Sequence, residues 1–118
     1  MTRVLLVEDH LTDVVLLREL LSLMAVEWAL EDVPTFAEAV GRWPGGAFDL
    51  LVVDLNLPDG QGLELLTRAL ELASGVPVVA MSGNENPRLA AQAVQLGARG
   101  YVLKDLEAAE HLHDIGLT

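Results

Sequence analysis

The chain has 118 residues, which suits one domain of ordinary size and is too short for two. It contains no cysteine, so disulfides, iron–sulfur clusters, thiolate zinc sites and cysteine nucleophiles are excluded. The formal net charge of −11 argues against a surface that binds nucleic acid or anionic membranes, because phosphate groups would be repelled. No apolar run is long enough to cross a membrane, and acidic residues come too early for a signal peptide. We therefore expect one soluble, cytoplasmic domain that covers residues 1–118.

Short aliphatic runs alternate along the chain with longer segments of helical spacing. The runs predict buried strands at Arg3–Val7, Glu27–Val33, Leu50–Val53, Val76–Met81 and Gly100–Leu103. The intervening segments predict helices at Leu11–Met24, Thr35–Trp43, Leu63–Ala73, Pro87–Leu96 and Leu106–Ile115, of which the last is short. Acidic residues interrupt the second strand, which favours a place at the edge of the sheet.

Several residues mark the ends of these helices. Thr35 and Glu38 have the spacing of a capping box, in which the two side chains satisfy free backbone N–H groups. Asn86 followed by Pro87 is typical of an N-cap and first helical position, and Gly97 predicts the stop of the same helix. The alternation of strands and helices predicts an α/β fold, with a doubly wound, five-stranded parallel sheet covered by helices on both faces.

Polar residues follow four of the predicted strands directly. Glu8 and Asp9 end the first strand, Asp54 the third, Ser82 the fourth and Lys104 the fifth. The carboxyl ends of parallel strands share one rim, so we expect these side chains to converge there. Acidic residues after a strand also cap the next helix, and for the Glu8-Asp9 pair alone that explanation is the stronger one. The joint pattern favours function, because the only lysine of the chain falls at the same rim.

Three carboxylates at one rim would repel each other, and a divalent cation would relieve that repulsion. Magnesium suits a set of hard oxygen ligands completed by water. A carboxylate beside bound magnesium is a plausible nucleophile toward phosphorus. In such a reaction Lys104 could neutralise the charge of a phosphoryl group, and the Ser82 hydroxyl could donate a hydrogen bond to it.

Four segments carry a resemblance to a known family. They are Val4–Asp9, Leu51–Pro58 with Gly62 beyond it, Val78–Ser82 and Gly97–Lys104. On these segments the sequence resembles the receiver domain of two-component response regulators, the CheY-like domains. The resemblance extends over nearly the whole chain and implies a flavodoxin-like fold with strand order 2-1-3-4-5.

The resemblance also implies roles for individual residues. Asp54 would be the phosphoacceptor, and Glu8, Asp9, Asp54 and the backbone carbonyl of Asn56 would bind Mg²⁺. Ser82 would be the switch hydroxyl, Tyr101 the switch aromatic residue and Lys104 the phosphate-contacting lysine. Glu8 departs from the family, which usually has aspartate here, so its longer side chain is expected to reach the metal through water. Asp105 departs as well, because many members have proline after the lysine.

The family's partners give a functional expectation. A histidine kinase or a phosphotransfer protein would donate the phosphoryl group, and the domain would not be an enzyme in the ordinary sense. Its output would be a conformational shift of the face formed by helix four, strand five and helix five. This face would bind an output partner that the sequence does not name, or it would pair two copies of the domain as a homodimer. Nucleic acid and membrane are not expected as partners of this domain.

Three alternatives use the same fold class. A degenerate receiver would act as an interaction module without phosphorylation, although Asp54, Ser82 and Lys104 are all present. A flavodoxin-like module would need Ser, Thr and Gly after the first strand, where this chain has acidic residues. A phosphatase of the haloacid dehalogenase type would need a second aspartate at the position of Asn56, and usually a longer chain.

Overall fold

Five of the apolar segments pair side by side in one parallel sheet. The structure is a computed structural model that describes residues 1–116. The strands of that range are β1 (Arg3–Val7), β2 (Ala29–Val33), β3 (Leu50–Asp54), β4 (Asn56–Leu57), β5 (Gly60–Gln61), β6 (Val78–Ser82) and β7 (Gly100–Leu103). The main sheet has the order β2-β1-β3-β6-β7, with all neighbours parallel. This order is the expected 2-1-3-4-5 of the five predicted strands, so the predicted fold class is confirmed. The last two residues of the predicted domain lie outside the described range.

Helices cover both faces of the sheet, as the alternating pattern predicts. They are α1 (Leu11–Leu23), α2 (Phe36–Arg42), α3 (Gly62–Leu72), α4 (Pro87–Leu96) and α5 (Ala108–Gly116). Because successive strand residues face opposite sides, Leu5 and Val7 of β1 pack toward α2, α3 and α4, whereas Val4 and Leu6 pack toward α1 and α5. No helix within residues 1–116 combines the length and hydropathy that a membrane crossing requires.

The predicted N-cap roles of Thr35 and Asn86 and the predicted stop at Gly97 are confirmed. The capping box is only half formed, because the Glu38 carboxylate accepts from the Thr35 hydroxyl at 3.3 Å rather than from a backbone N–H. Thr35 Oγ1 accepts a hydrogen bond from the Glu38 N–H at 3.1 Å, and Asn86 Oδ1 accepts one from the Leu89 N–H at 3.1 Å. Gly97 ends α4 with a φ of 123°, a conformation that side-chain-bearing residues rarely adopt.

The edge position predicted for the second strand is also confirmed, since β2 pairs only with β1. Its acidic residues are matched by arginines from neighbouring helices. Arg18 of α1 donates to the Leu30 carbonyl at 2.8 Å and to Asp32 at 2.6 Å, and Arg42 of α2 pairs with Glu31. These side chains cover part of an edge that would otherwise present unpaired backbone groups.

Some element boundaries differ from the prediction. The strand β6 begins at Val78 rather than Val76, because Pro77 has no N–H to donate to a sheet ladder. The helix α5 begins at Ala108 rather than Leu106, because Asp105 forms a turn first. Its carboxylate accepts from the Glu107 N–H at 2.9 Å and its carbonyl from the Ala108 N–H at 3.1 Å. The small antiparallel hairpin of β4 and β5 is not predicted by the sequence pattern.

Candidate functional site

The carboxyl ends of β1, β3, β6 and β7 meet at one rim, and the polar residues predicted there do converge. The Lys104 ammonium donates to Glu8 Oε1 at 2.7 Å and to Asp54 Oδ2 at 2.9 Å. The side chains of Glu8 and Asp54 are each only 1% exposed, and that of Lys104 is 13% exposed. The only lysine of the chain therefore contacts carboxylates that are almost completely shielded from solvent.

A further carboxylate, which the sequence analysis missed, belongs to this cluster. Asp13 in the first turn of α1 accepts from the Lys104 ammonium at 3.1 Å. An aspartate near the start of a helix is explained by the helix dipole alone, so only its place four residues after Asp9 could have drawn attention to it.

Asp54 is fixed at both carboxylate oxygens. Oδ2 accepts from Lys104, and Oδ1 accepts from the backbone N–H of Asn56 at 3.1 Å. The residue ends β3, which is buried throughout between β1 and β6. The strand therefore carries one ionisable group out of the core and holds it at the rim in a defined orientation.

Within residues 1–116, two buried carboxylate oxygens of the rim accept no hydrogen bond, namely Glu8 Oε2 and Asp9 Oδ1, and His10 Nδ1 lies 3.4 Å from the second of them. Glu8, Asp9, His10 and Asp54 each offer a potential ligand atom, and these atoms lie within 4.8 Å of one another. Buried anionic oxygens without donors are costly, and hard oxygen ligands are those that Mg²⁺ prefers. The residues therefore fit a magnesium ion, and the backbone carbonyl of Asn56 lies in the adjoining loop. His10 is 59% exposed, as a solvated rim residue would be.

The electrostatics of the cluster shift three pKa values. Burial, reinforced by the neighbouring Asp54, raises the pKa of Glu8 from 4.5 to about 8, and Lys104 offsets this only in part. Burial lowers the pKa of Lys104, but its bonds to Glu8 and Asp54 outweigh that cost and raise it above its ordinary value. For Asp13, burial alone would raise the pKa, but the hydrogen bond from Lys104 and its positive charge outweigh burial and lower the pKa. The metal-free site thus favours a proton on Glu8 and holds the charge on Lys104.

Ser82 and Tyr101 are linked through a residue that the sequence analysis did not single out. The Ser82 hydroxyl oxygen accepts from the backbone N–H of Asn84 at 3.1 Å. The Tyr101 hydroxyl donates to the backbone carbonyl of Asn84 at 2.8 Å. Both are bonds to backbone atoms, so the identity of residue 84 gives no signal for them. Asn84 lies in the loop between β6 and α4, and that loop therefore connects the rim to the outer end of β7.

The pKa of Glu8 predicts how stability depends on pH. Without metal, the folded state holds a proton on Glu8 up to about pH 8, whereas the unfolded chain loses it near pH 4.5. The free energy of unfolding should therefore fall as pH rises between these values, with a slope approaching about 1.4 kcal/mol per pH unit. Glu8→Gln, which cannot ionise, should remove this slope. Denaturant unfolding between pH 5 and pH 8, in the presence of a chelator, measures this slope for the parent domain and for Glu8→Gln. Equal slopes for the two proteins would contradict the raised pKa of Glu8.

Comparison with known proteins gives a consistent result. The profile of the response regulator receiver domain matches residues 4–115. The methanogenesis regulatory protein FilR1 of Methanothrix harundinacea is 32% identical over 116 residues, which are 95% of this chain and 26% of that protein. The DNA-binding transcriptional activator DevR/DosR of Mycobacterium tuberculosis is 32% identical over 122 residues, which are 98% of this chain and 55% of that protein. This chain thus spans about half or less of these relatives.

Solved structures agree on the fold. A response regulator receiver domain protein (CheY-like) from Methanospirillum hungatei superposes with a TM-score of 0.79 at 24% identity, covering 98% of this chain and 90% of that one. The family match, the relatives and the superposition all cover nearly the whole chain. The chain belongs to the response regulator receiver domain family.

Proposed function

We propose that this receiver domain accepts a phosphoryl group on Asp54, with Mg²⁺ at the acidic rim. Receiver domains are signalling domains of two-component systems rather than enzymes in the ordinary sense, and they bind Mg²⁺ at an acidic pocket. The observation that carries the proposal is the buried Asp54 carboxylate between the Lys104 ammonium and the two donor-free oxygens of Glu8 and Asp9.

The transfer is a displacement at phosphorus. A phosphohistidine of a histidine kinase or phosphotransfer protein presents its phosphoryl group at the rim, and a carboxylate oxygen of Asp54 attacks the phosphorus. A P–O bond forms, the P–N bond breaks, and the imidazole leaves with the electron pair of that bond. The hydrogen bonds to Asp54 from Asn56 and Lys104 hold the carboxylate for this attack.

Glu8, Asp9, Asp54 and the Asn56 carbonyl would hold the metal. Bound Mg²⁺ would supply positive charge to the phosphoryl oxygens during transfer. Glu8 shares one oxygen with Lys104 and keeps the other free, which suits a contact made through water. Lys104 could then leave its carboxylate partners and contact the phosphoryl group as a charged donor.

A degenerate receiver without phosphorylation remains the alternative function. That alternative would tolerate a site with missing or misplaced groups. Here Asp54, Lys104 and the acidic pair are present and lie close together. This proximity favours phosphoacceptor function.

A protein is the natural donor for this rim, and α1 offers a surface for it. The helix starts beside the site and leaves Leu11, Val15 and Leu16 exposed, at 71%, 49% and 40%. An apolar face of this kind next to a reactive group is typical of a docking surface.

Because phosphohistidine is made from ATP inside the cell, we place the reaction in the cytoplasm.

The output face we propose is formed by α4, β7 and α5. The helix α4 buries one small side chain completely, Ala93, and packs the partly buried Leu89 against the same core, so few deeply buried apolar contacts hold it in place. An element with so few contacts can move at low cost. A phosphoryl group that draws the Ser82 hydroxyl away from Asn84 would release the loop before α4 and let Tyr101 turn inward. The altered face would bind an output partner or a second copy of the domain.

Phosphorylation is tested directly with a small donor. Incubation with Mg²⁺ and acetyl phosphate should add one base-labile phosphoryl group, as expected for an acyl phosphate. Asp54→Asn should abolish the addition, whereas Asp13→Asn should retain it because Asp13 contacts the same lysine without being the acceptor. Intact-mass spectrometry measures the addition, and a phosphoryl group that persists in Asp54→Asn would refute the assignment.

Docking is tested by separating the two kinds of donor. Val15→Asp should lower the rate of transfer from a phosphorylated donor protein about tenfold, a loss of roughly 1.4 kcal/mol, because it puts a charge on an apolar contact surface. Its rate with acetyl phosphate should not change. Val40→Asp on α2 is a matched control, since Val40 is 44% exposed. Equal rates with the protein donor for both variants would contradict docking at α1.

The switch is tested with beryllofluoride, a mimic of the phosphoryl group. Ser82→Ala and Tyr101→Phe should each leave acetyl phosphate labelling intact but reduce the NMR shift changes of α4, because each removes one bond to Asn84. The double variant should be little worse than either one, since both bonds act through the same loop. Strictly additive losses would mean that the two hydroxyls act independently.

A further inference from the structure

The loop that follows Asp54 is tied to a helix far away in sequence. Asp59 lies in the turn between β4 and β5, and its carboxylate accepts two hydrogen bonds from the start of α2. Oδ1 accepts from the Phe36 N–H at 3.0 Å, and Oδ2 accepts from the Ala37 N–H at 2.9 Å. The residues joined are 23 and 22 positions apart.

These bonds complete the start of α2. A helix leaves its first four N–H groups without partners inside the helix. Thr35 Oγ1 accepts from one of them, the Glu38 N–H, whereas the Thr35 carbonyl accepts the first regular helical bond from Ala39. Asp59 accepts from two more, the N–H groups of Phe36 and Ala37, so the helix start depends on a residue of the loop after β3.

The hairpin depends equally on the helix. Its strands have two residues each, and a hairpin so short has little stability of its own. Its inner side is anchored by Leu57, which is buried in the core below α2 and α3. Its tip is held by Asp59, whose carbonyl also lies 3.5 Å from an Nη1 donor of Arg68.

Asn56 is the first residue of this hairpin. Its N–H bonds to Asp54, and its carbonyl is the proposed metal ligand in the loop. A strand this short and weakly paired does not fix the orientation of its own carbonyl groups. The orientation of the Asn56 carbonyl therefore depends on how firmly the rest of the hairpin is held. Residues that orient a metal ligand from outside commonly control affinity as strongly as the ligand does.

We propose that Asp59 is a positioning residue for the magnesium site. By fastening the hairpin to α2, Asp59 holds the Asn56 carbonyl in place. This inference rests on the proposed function. Asp59 does not touch the metal or Asp54; it acts through the backbone of residues 56–59. The start of α2 is thereby part of the support of the phosphorylation site.

The experiment compares Asp59→Ala with Thr35→Ala, in the complete domain. Both variants remove acceptors from the start of α2, but only Asp59→Ala also frees the hairpin. Mg²⁺ affinity is measured by titration with the metal alone, and local order by amide hydrogen exchange at Asn56. Asp59→Ala should weaken Mg²⁺ binding about tenfold and speed exchange at Asn56, whereas Thr35→Ala should change neither.

The outcomes separate this role from a structural one. Equal changes in Mg²⁺ affinity for the two variants, or no change for Asp59→Ala, would overturn the positioning role while leaving the metal site intact. Asp59→Asn keeps one carboxamide oxygen as an acceptor, so its Mg²⁺ affinity should lie between those of the parent domain and Asp59→Ala. This variant replaces Asp59→Ala in the test if Asp59→Ala does not fold. A parent domain that does not bind Mg²⁺ would instead overturn the proposed function.

Discussion

The placement of several carboxylates around one ammonium, at the end of a buried sheet, is the constraint on which the site depends. Asp54 leaves the core at the end of a strand that is buried throughout, and Glu8 does so at the end of the neighbouring strand. Neither can be moved into water without breaking the sheet, so their repulsion has to be offset where they lie. Lys104 offsets part of it, a proton favoured on Glu8 by its raised pKa offsets more, and the buried Asp9 Oδ1 accepts no hydrogen bond from residues 1–116. A divalent cation at the rim would take the place of that proton and satisfy the buried oxygens of Glu8 and Asp9.

The same constraint explains how a small group could alter a large surface. A phosphoryl group on Asp54 adds negative charge to a cluster whose single ammonium already serves three carboxylates. Any group that can donate a hydrogen bond, including the Ser82 hydroxyl, then gains by turning toward the phosphoryl oxygens. Ser82 would give up its bond with Asn84, and Asn84 is also where Tyr101 is attached. In the proposed switch, the electrostatic change at the rim would in this way become a change of loop and ring packing.

Much of this arrangement can be predicted from the sequence, because it follows from the ends of strands. Apolar runs that stop at Glu8, Asp54 and Lys104 place those residues at one rim once the sheet is parallel. Three contacts could not be predicted in the same way. The bond of Asp13 to Lys104 depends on how α1 is packed, the bonds at Asn84 involve only its backbone, and those of Asp59 join segments more than twenty residues apart. The β4–β5 hairpin is also invisible in the sequence, since two-residue strands are too short to show an alternating pattern.

The two sides of the rim differ in the contacts that a phosphoryl group on Asp54 would disturb, and this difference gives the proposed signal a direction. On one side, α2 is anchored by the buried Phe36 and Ala39, and the Asp59 carboxylate ties it to the loop that carries Asn56. On the other side, α4 is held by the buried Ala93 and by a loop attached through single bonds at Asn84. Recruiting the Ser82 hydroxyl to a phosphoryl group would break a bond on the α4 side and none of the Asp59 bonds on the α2 side. In the proposed function, the loop that carries Asn56 would stay fixed while α4 shifts, so the outer face would change without loosening the proposed site of the phosphoryl group.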